Sequence, residues 1–235
     1  MPNSHISQLQ CWIEKTHWEK EFWDKGWSVA GTDEAGRGPL AGPVVAAAVV
    51  LNPQRQILGV DDSKRLSVST REHLYEEICR QAWAIGVGVV GPRTIEKINI
   101  LEASRMAMIR ALSYLNGVPR VVLTDAMAIG GPWDEYPLIH GDQISASIGA
   151  ASIIAKVVRD RYMTVLARHH VTRIPRLRFT HSISSQILPH PSSSRKISGL
   201  LSSVGENQTA ATTRQKPRLL HSSLATSQNS GCRNF

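Results

Sequence analysis

Up to about residue 167 the chain alternates short valine-, isoleucine- and alanine-rich runs with amphipathic segments, and this alternation restricts the fold more than any other feature. The runs are "WSVAGTD" (27–33), "PVVAAAVVL" (43–51), "AWAIGVGVV" (82–90), "RVVLTDA" (120–126) and "YPLIHGD" (136–142), each bounded by Gly, Pro or Asp. Apolar stretches of this length between turn residues read as strands. The segments between them read as helices. Ser69, Thr70, Arg71 and Glu72 fit a capping box ahead of "HLYEEICRQA", and "NILEASRMAMIRALSYL" carries Leu101, Met108, Leu112 and Leu115 at helical spacing. The longest helical pattern is "QISASIGAASIIAKVVRDRYMTVLA", in which Ile144, Ile148, Ala151, Ala155, Val158, Tyr162 and Val165 form a stripe predicted to be buried. Strands alternating with helices predict an α/β fold, and only a short turn separates the first two runs, so those strands are expected to pair antiparallel. The expected architecture is a mixed sheet with helices on both faces.

Composition sets the outer limits. A chain of 235 residues with 42% hydrophobic content is large enough for a core. Three cysteines, Cys11, Cys79 and Cys232, do not make a disulfide framework, which points to a reducing compartment. The amino-terminal stretch lacks the apolar centre of a secretory signal, and the longest apolar run, Val44 to Leu51, is too short to span a bilayer. The expectation is a cytoplasmic chain, monomeric and without a membrane partner.

The net charge of +8 is unevenly distributed. Residues 1–167 hold 17 Lys+Arg against 18 Asp+Glu, whereas residues 168–235 hold 10 Lys+Arg and a single acid, Glu206. The basic character therefore belongs to the carboxy-terminal stretch and says nothing about the alternating region. From residue 168 periodicity fades, Ser, Arg, His and Pro dominate, and only Phe179 and Phe235 supply aromatic rings after Tyr162. Such a segment has little apolar area to offset its ordering entropy, so disorder is expected. The chain divides into a helical extension (1–26), a central domain (27–167) and a basic tail (168–235).

Three of the apolar runs end in acids: "SVAGTDE", "VVLTDA" and "PLIHGD". Residues just beyond the carboxyl ends of parallel strands line the ligand crevice of an α/β sheet, so Asp33, Glu34, Asp125 and Asp142 can meet there. Two carboxylates about 4 Å apart repel by roughly 4 kcal/mol at an effective dielectric near 20, so such a cluster needs protons or cations within it. All-oxygen donors suit magnesium or manganese. The competing reading is that each acid merely ends a strand or caps a helix, and Asp61 and Asp62 in "GVDDSK" follow an apolar run just as well. In "AGRGPLAG", Gly36 and Gly38 allow close backbone approach to a ligand and Arg37 can donate to a phosphate; a tight turn with a solvated arginine is the alternative. Lys64 is either a phosphate contact or an ordinary surface lysine. Ser145, Ala146, Ser147, Gly149 and Ala150 make the start of the long helix small, which suits close packing on a sheet first and close approach of a substrate second.

Taken in order, "AGTDEAGRGPLAGPVVAAAVVL", "DDSKRLS", "INILEAS.MAM" and "GD...ASIGAASIIAKVVRDRYM" closely resemble bacterial ribonuclease HII, the type 2 ribonucleases H, over residues 28–163. The resemblance implies a ribonuclease-H-like fold and cleavage of RNA paired to DNA, including single ribonucleotides embedded in duplex DNA. It implies Asp33, Glu34, Asp125 and Asp142 as metal-binding catalytic acids, with manganese or magnesium as cofactor, and Gly36, Arg37 and Gly38 as contacts to the strand around the ribonucleotide. Members of the family usually continue past the "RDRYM" helix with a tyrosine in a Lys-Gly-Tyr context near the RNA-to-DNA junction, and this chain has no matching segment. Its tail looks like out-of-frame translation of the same gene. Three readings are therefore set against one another: a divalent-metal endonuclease acting at ribonucleotides, a catalytically impaired nucleic-acid-binding protein lacking the junction-recognition segment, and a general ribonuclease-H-like nuclease without ribonucleotide specificity.

Overall fold

The structure, a computed structural model, describes residues 3–39, 41–115 and 117–170. The expectation of a disordered basic tail lies outside the described residues, apart from 168–170, which continue the last helix. The elements run α1 (Asn3–Lys15), α2 (His17–Trp23), β1 (Val29–Ala35), β2 (Val44–Val50), α3 (Val68–Gln81), β3 (Ala84–Val90), α4 (Pro92–Ser113), β4 (Val121–Asp125), β5 (Asp134–Leu138), α5 (Gly141–Ile144) and α6 (Ala146–His170).

The strands form one mixed sheet in the order β3-β2-β1-β4-β5. β1 pairs antiparallel with β2, as the short turn predicts, and parallel with β4, which is in turn parallel to β5. Helices α6 and α3 cover one face and α4 the other, so β2 is buried on both sides. Its alternation splits between two cores. Val45, Ala47 and Val49 point toward α6, while Val44, Ala46, Ala48 and Val50 join Met108 and Leu112 on the α4 side. A strand covered on both faces must be apolar at every position, which is why "VVAAAVV" shows no polar alternation.

Close helix-to-sheet approach explains two strand glycines. A Cβ on Gly31 of β1 would lie 2.2 Å from the Ser147 carbonyl carbon of α6, and one on Gly88 of β3 would lie 2.1 Å from the Ala107 oxygen of α4. The small residues that open α6 are thus accounted for by packing.

Some local expectations are corrected. Helix α3 begins two residues earlier than the capping box suggests: Ser67 is the N-cap and accepts from the Thr70 amide at 3.1 Å. Helix α4 is interrupted at Asn99, whose φ of 68° breaks the helix and whose Oδ1 accepts from Leu101 and Glu102, capping the second half. Leu101 stands in that new first turn and is exposed. The stripe assigned to the long helix holds only in its middle. Ile148, Ala151, Ala155 and Val158 are buried, but Ile144 belongs to α5 and is exposed, Tyr162 is half-buried and Val165 is exposed. Cys11 and Cys79 form no disulfide. Among the described residues no helix is long and apolar enough to cross a membrane.

Candidate active site

The parallel register of β1 and β4 ends at Thr32 opposite Thr124, so the next residues, Asp33 and Asp125, are neighbours at the carboxyl ends of the two strands. Glu34 follows Asp33 within β1, and the Glu34 amide donates to Asp33 Oδ1 at 2.7 Å. Asp142 arrives differently from the strand-end expectation. β5 stops at Leu138, and Asp142 sits in the short helix α5 beyond it. The Gly141 amide donates to Asp125 Oδ1 at 2.7 Å, which ties that short helix to the end of β4.

Backbone strain accompanies the acids. Two of the three non-glycine residues with positive φ among those described are Ala126 (53°), directly after Asp125, and His140 (55°), two before Asp142. Such conformations persist where surrounding structure holds them, and they concentrate at functional sites.

The carboxyls repel one another in a half-dry environment. Burial, then Glu34 and Asp125, push the Asp33 carboxyl well above its ordinary value, against the Ser152 hydroxyl and the Glu34 amide, which favour the charged form. Burial also raises Glu34; Arg37, whose guanidinium donates to Glu34 Oε1 at 3.2 Å, opposes the rise, while Asp125 adds to it. Asp142 is pushed up to about 6 by burial and then by Asp125 and Asp62, with the Lys64 ammonium opposing. Asp125 thus bears on all three of the other acids.

Asp62 joins this group through a hydrogen bond with Asp142, although the apolar-run pattern did not distinguish it from Asp61. Asp61 is taken out of the cluster by Lys15 at 2.7 Å and Arg65 at 3.4 Å. Lys64 is exposed and lies near enough to Asp142 to act on it.

The glycine-rich turn divides its roles. Gly36 has a φ of 111°, and a Cβ there would meet both Arg159 Nε and the Pro43 oxygen at 2.6 Å, so the protein itself requires glycine. A Cβ on Gly38 would meet nothing within 4 Å, and Arg37 is exposed, so this part of the turn faces open space. Sequence reasoning missed the residue that holds the turn. Arg159 of α6, buried, donates to the Pro43 oxygen at 3.1 Å and the Ala41 oxygen at 3.0 Å. Flanked by Lys156, Asp160 and Arg161, it reads in the sequence as one more charge on a helix surface. Ser152 was missed as one more small residue at the start of the helix; it reaches Asp33 and donates to the Ser63 hydroxyl at 2.9 Å.

Among the described residues no three Asp, Glu, His or Cys side chains converge closely enough to enclose a metal ion. The donors nevertheless suit a divalent ion of the magnesium kind. Such an ion keeps several waters, needs only one or two carboxylates and takes further oxygens from substrate phosphates. Carboxyls whose charged forms are disfavoured by burial and then by neighbouring carboxylates are the groups a cation would relieve.

The family model described as Ribonuclease HII matches residues 30–176. Over 162 residues the chain is 50% identical to Ribonuclease HII of Geobacillus kaustophilus, covering 68% of this chain and 62% of that relative. Over 157 residues it is 47% identical to Ribonuclease HII of Bacillus subtilis, covering 66% and 62%. The chain thus spans a little over three fifths of the length of these curated relatives. Among solved structures, the ribonuclease H2 of Pyrococcus horikoshii superposes with a TM-score of 0.52 at 29% identity, over 62% of this chain and 78% of that one.

Proposed function

The chain belongs to the ribonuclease HII family, and from that premise we propose that it is an endonuclease acting on RNA/DNA hybrids and on single ribonucleotides within duplex DNA. Cleavage falls on the 5′ side of the ribonucleotide, leaving a 3′-hydroxyl and a 5′-phosphate. The observation that carries this reading is the meeting of four acids at one end of the sheet: the β1–β4 register makes Asp33 and Asp125 neighbours, Glu34 follows Asp33, and the Gly141 amide ties the helix bearing Asp142 to Asp125 Oδ1 at 2.7 Å.

Asp33 and Asp125 would hold manganese or magnesium, with Glu34 and Asp142 as the further carboxylate donors. When bound, such an ion supplies Lewis acidity toward a phosphodiester and an activated water. The chain's own residues bind and orient the strand. Arg37 exchanges its Glu34 contact for a phosphate oxygen, which frees the Glu34 carboxylate as substrate arrives. The open backbone at Gly38, with Gly36 beside it, senses the 2′-hydroxyl that separates RNA from DNA. Lys64 contributes a phosphate contact beside Asp142.

The test is cleavage of a duplex containing one ribonucleotide, compared with the same duplex in all-DNA form and with chelator added. Cleavage of the first alone, dependent on added metal, supports the reading. Equal cutting of both duplexes points to a nuclease without ribonucleotide specificity. Binding without cutting points to the impaired alternative, which the missing Lys-Gly-Tyr segment favours.

A further inference from the structure

Helices α1 and α2 pack against the catalytic domain with a face that is not simply apolar. Trp12, Lys15, Thr16, Glu19 and Phe22 are its buried residues, at spacings of three and four. The helical ladder continues through the break at Thr16, since Thr16 donates to the Trp12 oxygen and Lys20 to the Thr16 oxygen, both at 2.9 Å. Lys15 and Glu19 therefore sit one turn apart on the same side. Burying a lysine and a glutamate costs far more than burying two leucines unless each finds an ordered partner. Lys15 finds Asp61 on the turn before α3, and Glu19 finds three donors for Oε1 at the α5–α6 junction, while its buried Oε2 has no hydrogen-bond partner among the described residues.

Lys15 donates to Asp61 Oδ1 at 2.7 Å, and the same oxygen accepts the Asp62 amide at 2.9 Å. This braces the turn whose Asp62 meets Asp142. Glu19, fully buried, accepts at Oε1 from the Ser145 hydroxyl at 2.6 Å, the Ser147 amide at 2.8 Å and the Ser147 hydroxyl at 2.6 Å. A carboxylate from a distant helix thus occupies the amino-terminal end of α6, where the last residues of α5 join it. Ser145 also donates its amide to the Gly141 oxygen at 2.8 Å, so the anchored serine is bonded to the short helix that carries Asp142.

We propose that Lys15 and Glu19 are positioning residues: through the Asp61 turn and the α5–α6 junction they hold Asp62 and Asp142 in register with Asp33 and Asp125. The role rests on the function proposed above, because it is exerted on Asp142. Removing Glu19 frees the junction, lets Asp142 drift from Asp125, and lowers turnover more than substrate affinity.

The test uses the full chain. Glu19→Ala and Glu19→Gln are compared with Met108→Ala, a core truncation under α4, at a temperature where all remain folded. Amide hydrogen exchange across residues 141–149, without metal, reports the junction directly. Glu19→Ala is expected to speed exchange there at least tenfold while α4 amides keep their protection, and to lower kcat at least tenfold with KM within about twofold. Glu19→Gln keeps the acceptor oxygen and should recover most of both. Met108→Ala should lower the melting temperature and leave kcat alone. Unchanged exchange at 141–149 in Glu19→Ala, or unchanged kcat, overturns the proposal, as does an equal loss of kcat in Met108→Ala. If Glu19→Ala does not fold, Lys15→Met carries the same expectation through the Asp61 turn, and full turnover in it overturns the proposal. A wild-type chain that never cleaves at a ribonucleotide defeats the activity, and the exchange comparison still decides the positioning role.

Discussion

The two faces of the sheet differ in what they bury. Beneath α4 the core is apolar, and the buried face of that helix has Ser104 as its one polar member, its hydroxyl returned to the Ile100 oxygen at 3.0 Å. On the α6 side and at the strand ends lie the buried charges: Lys15, Glu19, Asp33, Asp61, Asp62, Arg71, Asp142 and Arg159. A face whose only task is stability has no use for eight buried ionisable side chains. The difference matches the proposed function, in which the α4 face is support and the other carries the site, and substitutions on each should fail in different ways.

The largest separable effect is on the supporting face. Met108→Ala removes a fully buried side chain and should cost about 2–5 kcal/mol of stability, seen in denaturant titration, with turnover per folded molecule unchanged. Lost turnover in a folded Met108→Ala would erase the distinction between the faces.

On the other face Arg37→Ala should do the reverse. The guanidinium is exposed and, among the described residues, forms an ion pair with Glu34 alone, so melting is expected to stay put. Affinity for a ribonucleotide-containing duplex should fall roughly tenfold at fixed salt, the scale of one charged hydrogen bond. Equal affinity would leave Arg37 a solvated turn residue.

A smaller effect concerns pH without metal. The Asp142 carboxyl rises from 3.8 to about 6 on folding, so the folded state holds this proton more tightly than the unfolded chain does. The resulting stabilisation is complete below about pH 4 and is lost as pH rises through about 6. In chelator the melting temperature should therefore fall over that interval, and Asp142→Asn should flatten the fall. An identical pH profile in the variant would remove Asp142 from the repelling cluster.

How legible each face was in the sequence follows from the same contrast. The α4 side and β2 were readable because complete burial leaves a local trace: an unbroken apolar run, and Met108 and Leu112 at helical spacing. The N-cap of α3 was not, because Ser67, Ser69 and Thr70 are all hydroxyl residues within one turn and only their mutual packing selects Ser67. Asp33 and Asp125 were anticipated at strand ends, and they stand there. Asp142 was named, but its delivery by α5 was not, since the left-handed turn at His140 leaves no mark in composition. Glu19, Lys15, Ser152 and Arg159 were invisible as site-bracing residues: their partners are more than forty positions away, and a charged residue in a helix reads as surface until tertiary contact buries it.

The most direct test is Asp125→Asn, because Asp125 acts on each of the other three acids and is their common neighbour. Cleavage of a duplex with one ribonucleotide, measured at saturating manganese, should fall by a factor of about 10³ or more, the scale of losing a preorganised charged group. Without metal the variant should melt a few degrees higher, at roughly 2–4 °C per kcal/mol of relieved repulsion for a domain of this size. Full cleavage by Asp125→Asn, in a chain that melts no higher than wild type, would contradict the account.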